Sequence, residues 1–329
     1  MKDMYKINLQ LFANTPNTNV TTDSGLSVEN KTYYDMTLID EAQANLVHDQ
    51  FAQKRPIPKN GGKKIEFRKF ASLPKATTPL TEGVTPDGKK LSVTSIEAEV
   101  AQYGDYIVQS DVLELTTIDN TIVEATKILG RQAGLTLDTI TRNILQSGTN
   151  VYYCPKKDGT AVSSRSGLDE TCKLTVDVVN RVVALLKKNN APKINGDYVA
   201  IIHPLVAYDL ISDPAWIEAH KYATPENIYN GELGKIGGVR FVESSEAKVY
   251  EGGVFGCLFL ADGAYGVTEI TGGGLETIIK QKGSAGTADP LDQRSSIGWK
   301  AIKTAEILVE PYMVRVECKS ALSAEAEAN

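Results

Sequence analysis

Two spacings of apolar residues organise this chain, one of period two and one of three to four. In KKIEFRKF, Ile65 and Phe67 alternate with Glu66 and Arg68; in LSVTSIEAEVAQY, Ile96, Ala98 and Val100 alternate with Glu97 and Glu99. Each pattern predicts a strand with one apolar face. Between them runs ASLPKATTPLTEGVTPDGKK, a connection longer than compact domains usually contain. The pair therefore predicts a long two-stranded projection, and a lone hairpin is marginal in water unless something packs against it.

The helical period is clearest from Asp119 to Gln146. Ile118, Ile122, Ala125, Leu129, Ala133, Leu137, Ile140 and Ile144 recur at three or four, Thr121 with Glu124 reads as a capping box, and Ser147-Gly148 ends the run. Such a rod is roughly 40 Å long at 1.5 Å per residue. Lys127, Arg131, Asp138 and Arg142 lie off its apolar stripe. A shorter amphipathic helix is predicted from Asp35 to Gln53, stopped by Pro56 and Pro58.

A second organised block extends from Leu174 to about Thr287. VDVVNRVVALLKKNN reads as a helix with Lys187 and Lys188 in its last turn, where positive charge suits the dipole. DYVAIIH reads as a buried central strand, and HPLVAYDLISDPAW as a helix entered at His203 and broken at Asp213-Pro214. KIGGVRFVES and VFGCLFLADGAYGVTEI add strands, an order that suits a layered α/β unit. Past a glycine-rich stretch, Ala305, Ile307 and Val309 alternate, then Tyr312, Val314, Val316 and Cys318. These closing strands are distant in sequence from the rod helix, so the block between reads as an insertion into one domain. Residues 14–32, rich in Asn and Thr, read as a tail or as an arm that orders across a neighbour, and SALSAEAEAN reads as frayed.

Composition narrows the function more by exclusion than by assignment. A chain of 329 residues with ordinary hydrophobic content can bury a large core. Its net charge of −6 opposes general adhesion to nucleic acid. Cys154, Cys172, Cys257 and Cys318 form no CxxC pair, and His48, His203 and His220 are scattered, so neither a redox motif nor a metal-ligand spacing is present. The opening MKDMYKINLQLFANTPN is too polar for a signal peptide, and no apolar run reaches the length of a membrane span. A reducing cytoplasm is the expected place of synthesis.

Candidate chemistry is sparse. NIYNGELGKIGGVRFVES places Gly231, Gly234, Gly237 and Gly238 before a strand, whereas a phosphate loop needs glycines that open a helix. These glycines read as turn formers. His203, Asp209 and Asp213 lack a nucleophile motif, and His203 before Pro204 suits capping or packing. Asp289 and Asp292 lack the ligand series of a calcium loop. No catalytic, cofactor-binding or metal residue is assigned.

Three stretches, AIIHPLVAYDLISDPAW, NGELGKIGGVRFVES with Ala247 following, and DPLDQRSSIGWKA, carry a resemblance. The chain resembles the major capsid proteins of tailed bacteriophages with the Hong Kong 97-type fold, and within them the branch named after phage N-four. KINLQLFA is also similar to the starts of phage structural proteins. The resemblance spans about Leu26 to Ser320. It implies an α+β fold with an N-terminal arm (1–34), a short helical segment (35–56), an extended hairpin loop (57–105), a peripheral domain with the spine helix (106–169 and 288–320), an inserted α/β axial domain (170–287) and a tail (321–329).

The function so implied is a coat protein that assembles into hexamers and pentamers of an icosahedral head shell around double-stranded DNA. Its partners would be further copies of itself, a separate scaffolding protein, a portal protein and optional decoration proteins. DNA would be enclosed without sequence-specific binding, and assembly would occur in the host bacterial cytoplasm with no membrane contact. Lys63, Lys64, Arg68 and Lys69 at the hairpin root, with Arg294 and Trp299, are the expected inter-subunit contacts. Reversing Arg68 and Lys69 to Glu is expected to block shell formation while leaving subunit folding intact. An α/β enzyme or ligand-binding protein using residues 227–244, or another phage structural role, are the alternatives.

Overall fold

The computed structural model describes residue 38 and residues 46–58, 62–70, 73–85, 87–116, 121–220, 234–269, 274–284 and 289–329. The expected arm (1–34), most of the helix expected at 35–53, and Gly231 lie outside the described residues. In chain order the strands and helices begin with β1 (Gln53–Lys54), β2 (Lys64–Phe70), β3 (Val93–Glu99), β4 (Ala101–Ser110), α1 (Asp111–Thr116), α2 (Thr121–Gln146) and β5 (Val151–Tyr153). They continue with α3 (Val176–Lys188), β6 (Tyr198–Ile202), α4 (Pro204–Ile211), α5 (Pro214–His220), β7 (Lys235–Ile236), β8 (Val239–Glu243), β9 (Val249–Tyr250) and β10 (Val254–Leu260). β11 (Tyr265–Glu269), β12 (Glu276–Lys280), β13 (Arg294–Ile307) and β14 (Met313–Cys318) close the chain.

The described residues form three sheets. The five-stranded sheet is built on β13, which pairs with β11 and β12 along one edge and with β4 along the other. The 26-residue α2 lies across it, packing Ala125, Leu129, Ala133 and Leu137 on Ile297, Trp299 and Ala301. The seven-stranded sheet has the order β5-β14-β10-β6-β8-β7, with β9 beside β10. Strand β6 is buried at all five residues, as its unbroken apolar run requires. One face of this sheet is covered by α3 and α4, through Val179, Val182, Leu186 and Leu210. Its other face, through Val199, Ile201, Leu258 and Leu260, meets Leu145 of α2 and Val267 and Ala305 of the first sheet. The two sheets thus share a core, and the third sheet, β2 with β3, projects from it.

The strand pairings cross the boundaries expected from sequence. β11 and β12 fall within the expected inserted block yet pair with β13, whereas β5 and β14, expected in the peripheral part, join the seven-stranded sheet. Period-two spacing gives the face that a strand buries but not its partner. Two of the crossings are tight connections, at Asp262-Gly263, where Gly263 has φ +69°, and at the 3-10 turn Glu310–Tyr312, while β5 is reached through α2.

Two further expectations change. Residues 48–52 form turns leading into β1, so the helix expected to reach Gln53 does not. Nor is the segment from Ser320 to Asn329 frayed. The Ser320 hydroxyl donates to Leu205 O at 2.9 Å, the Ala321 amide donates to Asp209 at 2.9 Å, and the Asn329 amide donates to Val249 O at 3.2 Å.

Candidate inter-subunit surface

The projection is held to the body by a few side chains. Phe67 of β2 is buried on Gly266 of β11, where a Cβ would lie 3.1 Å from the ring, and the Arg55 guanidinium sits 5.7 Å from the ring centroid. Ala98 and Val100 are buried on the same side, and the Val100 amide donates to Lys63 O at 3.0 Å. Beyond this root every described residue from 73 to 92 is exposed, including Leu73, Leu80, Val84 and Leu91. Leu80 is 77% exposed. Apolar side chains gathered on a projecting loop mark a surface that awaits a partner.

On the outer face of the hairpin root, carboxylates stand among the cations. Lys64 pairs with Glu97 at 3.5 Å, and Arg68 with Glu66 at 3.1 Å. Arg68 holds the Glu66 carboxyl below its ordinary value. Alternation puts Lys64, Glu66 and Arg68 on one face with Glu97 and Glu99, so carboxylates offset the cations. Lys63 is exposed, and the side chain of Lys69 lies outside the described residues.

The remaining expected contacts divide. Arg294 opens β13 with an exposed side chain 3.8 Å from Asp289. Trp299 is buried in its own subunit against α2, and its indole donates to Gln132 at 3.3 Å. Odd-numbered residues of β13, Trp299 among them, face α2. Gly237 and Gly238, at φ +61° and +79°, make the two-residue turn joining β7 to β8, and Gly234 has φ +78°.

The side chains that tempted a catalytic reading do separate structural work. His203 caps α4, its Nδ1 accepting from the Leu205 amide at 3.2 Å, and burial pushes its pKa down. Asp209 pairs with Lys173 at 3.1 Å, and Asp213 accepts from the Val176 and Ala215 amides at 2.9 and 3.0 Å. Asp289 accepts from the Arg294 amide at 2.8 Å. Among the described residues no His, Cys, Asp and Glu group could hold a metal ion, and no helix is long and apolar enough to cross a membrane.

Sequence reading missed two features. One is the exposed apolar set Tyr106 and Val108 on β4 with Val112 and Leu115 on α1; only strand and helix register exposes it. The other is a buried polar cluster under the hairpin root. His48, Asp138 and Thr141 are fully buried, as is Lys303 save 2%. Lys303 pairs with Asp49 and donates to Leu137 O at 3.1 Å, Thr141 donates to Asp49 at 2.6 Å, and the Tyr265 hydroxyl donates to His48 O. Asp138 and Arg142, expected off the buried stripe of α2, are both buried; Arg142 donates to Glu246 O at 2.7 Å.

A family model described as phage capsid protein matches residues 119–258, from α2 into β10. No curated protein matches the chain. Among solved structures it is similar to the capsid of cyanophage Pam1, at 13% identity and a TM-score of 0.66 over 85% of this chain and 92% of that one. It is also similar to the capsid of cyanophage P-SCSP1u, at 14% identity and a TM-score of 0.64 over 82% and 87%. The capsid of Ralstonia phage GP4 aligns at 15% identity and a TM-score of 0.61 over 82% and 87%. These likenesses establish the fold, which is the α+β Hong Kong 97-type capsid fold with its spine helix.

Proposed function

We infer that this chain is a phage major capsid protein, a structural and non-catalytic subunit of the icosahedral head shell. The observation that carries the reading is the capsid fold over more than four-fifths of the chain, joined to a projecting loop whose apolar side chains are left exposed by the described residues. A loop of this kind is understandable in a molecule whose final environment is other copies of itself. Individual contacts can then be weak, since a subunit held by several neighbours gains from high effective concentration.

In this reading the hairpin and its loop reach over a neighbour, α2 with the five-stranded sheet forms the peripheral part, and the seven-stranded sheet with α3 to α5 forms the axial part of hexamers and pentamers. The turn glycines Gly234, Gly237 and Gly238 shape the axial part and bind no nucleotide. A separate scaffolding protein, a portal and optional decoration proteins complete the assembly, and membership of the N-four branch is the finer assignment. The net charge of −6 suits a container that encloses DNA without gripping it.

Negative-stain electron microscopy with sedimentation velocity, on the chain expressed with and without its neighbouring genes, tests this. Closed shells, hexamers or pentamers are expected. A small discrete oligomer in every condition would overturn the reading.

A further inference from the structure

Strand β4 is an open edge. It pairs with β13 over its whole length, Ala101–Ser110 against Arg294–Lys303, in an unbroken register, and among the described residues no strand lies along its other side. Sheet edges are ordinarily blunted by lysine, proline or a bulge. The sequence AQYGDYIVQS has none of these, and Asp105 is its one charged residue. On the face turned away from α2, Tyr106 and Val108 are 68% and 49% exposed, and Tyr106 borders a groove of about 350 Å³ with Ile278, Lys280 and Gly298. On the α2 face, the exposed Asp105 carboxylate accepts from Gln132 at 2.6 Å and from the Tyr106 amide at 2.8 Å, and these two bonds hold it below the ordinary carboxylate range. Such an edge suits an added strand with apolar side chains on one face and a cation on the other.

A stretch of this same chain has that pattern. Tyr5, Ile7, Leu9 and Leu11 alternate with Lys6, Asn8 and Gln10, a period of two with one apolar face. The stretch lies outside the described residues, which begin at Leu38. Leu38 is buried in the cluster on which Tyr103 and Ile107 of β4 pack, so the chain that precedes it arrives beside this strand. Residues 12–37 span at most about 90 Å when extended. A connection of that length keeps residues 5–11 near their own β4 at an effective concentration on the order of millimolar, above that of any second copy in dilute solution.

We propose that residues 5–11 add to the free edge of β4 of the same chain as a parallel strand, with Lys6 beside Asp105, Ile7 beside Tyr106 and Leu9 beside Val108. Leu11 then reaches Ser110, where Val112 and Leu115 of α1 are exposed. The antiparallel alignment that brings Lys6 to Asp105 sets Leu9 beside Gln102 and Asp3 beside Val108, so the parallel alignment is the one that meets both the charge and the apolar pair. The added strand closes an edge on which unassembled subunits would otherwise pair with one another. The inference concerns the subunit before assembly and stands apart from the shell reading.

Hydrogen exchange read by mass spectrometry on the unassembled full chain tests this. Ile7→Asp with Leu9→Asp should speed exchange of the edge amides within Ala101–Ser110 at least about tenfold, while α2 keeps its protection. Lys6→Glu should raise the same exchange in part, and Lys6→Glu with Asp105→Lys should restore protection, a rescue that a lysine facing only solvent would not give. Equal exchange in the unaltered chain and in the Ile7 and Leu9 variant would overturn the proposal. A charge swap that restores nothing would overturn the alignment. Protection that rises with protein concentration, or that arises only in assembled particles, would assign the edge to a second copy and overturn the choice of occupant.

Discussion

His48 Nδ1 lies 2.7 Å from Asp138 Oδ2, both side chains are fully buried, and the other oxygen of Asp138 accepts from the amides of Val47 and His48 at 2.9 and 2.7 Å. One carboxylate on the spine helix thereby fixes the segment that enters β1 and the hairpin. Asp138→Ala leaves the Val47 and His48 amides and the His48 ring without their acceptor, and a buried donor left unsatisfied costs about 1–3 kcal/mol. Urea unfolding of unassembled subunits should show the loss as a lower midpoint. A midpoint equal to that of the unaltered chain would mean that water replaces the carboxylate without cost.

Phe67 should govern the hairpin as a unit. Truncating a buried Phe to Ala costs about 3–5 kcal/mol, which a two-stranded sheet has no means to absorb. Phe67→Ala is expected to leave the two larger sheets folded while proteolysis between residues 63 and 100 speeds up at least about tenfold. Equal cleavage rates would show that Ala98 and Val100 hold the root without the ring.

Local pattern carried the elements and failed on partners. The spine helix was readable as Asp119–Gln146 because its period is carried by the residues themselves, and it is observed over Thr121–Gln146. The capping place of His203 was legible for the same reason, since Pro204 follows it. Burial of Asp138 was not legible, because its partners Val47 and His48 lie about ninety residues away and nothing in the α2 sequence announces them. Trp299 illustrates the same limit: the alternation around it defines a face, but only the packing of α2 makes that face internal. The hairpin root looked basic because Lys63, Lys64, Arg68 and Lys69 are adjacent in sequence, whereas pairing brings Glu97 and Glu99 onto the same face.

Stability near neutral pH should carry the mark of His203. Burial lowers its pKa below the ordinary value of 6.5, so as pH falls the unfolded chain takes up a proton that the folded chain resists. The contribution of this site is present above about pH 6.5 and is lost as pH falls through the folded value. His203→Asn replaces the Nδ1 acceptor of the Leu205 amide with an amide oxygen and removes the titration. Stability at pH 8 should change by less than about 1 kcal/mol, with a flatter decline between pH 7 and pH 5. An unchanged slope in urea titrations across that range would assign the acid sensitivity elsewhere.

Assembly should depend on the apolar loop more than on the charged root. Lys64 and Arg68 are engaged by Glu97 and Glu66 on an exposed face, and exposed pairs contribute about 0–1 kcal/mol each. Leu80 and Leu91 are 77% and 68% exposed, apolar surface that a neighbour could cover. Leu80→Asp with Leu91→Asp should alter subunit stability by less than about 0.5 kcal/mol, because neither side chain is buried before assembly. The yield of closed shells should nevertheless collapse. Arg68→Glu with Lys69→Glu provides the comparison. It replaces the cation beside Glu66 with a carboxylate, and the charge reading expects it to block shells completely, whereas the apolar reading expects shells to persist at reduced yield. Particle counts by electron microscopy on both double variants decide between them: normal shells from the leucine variant would remove the loop from the contact, and none from the charge variant would return the root to it.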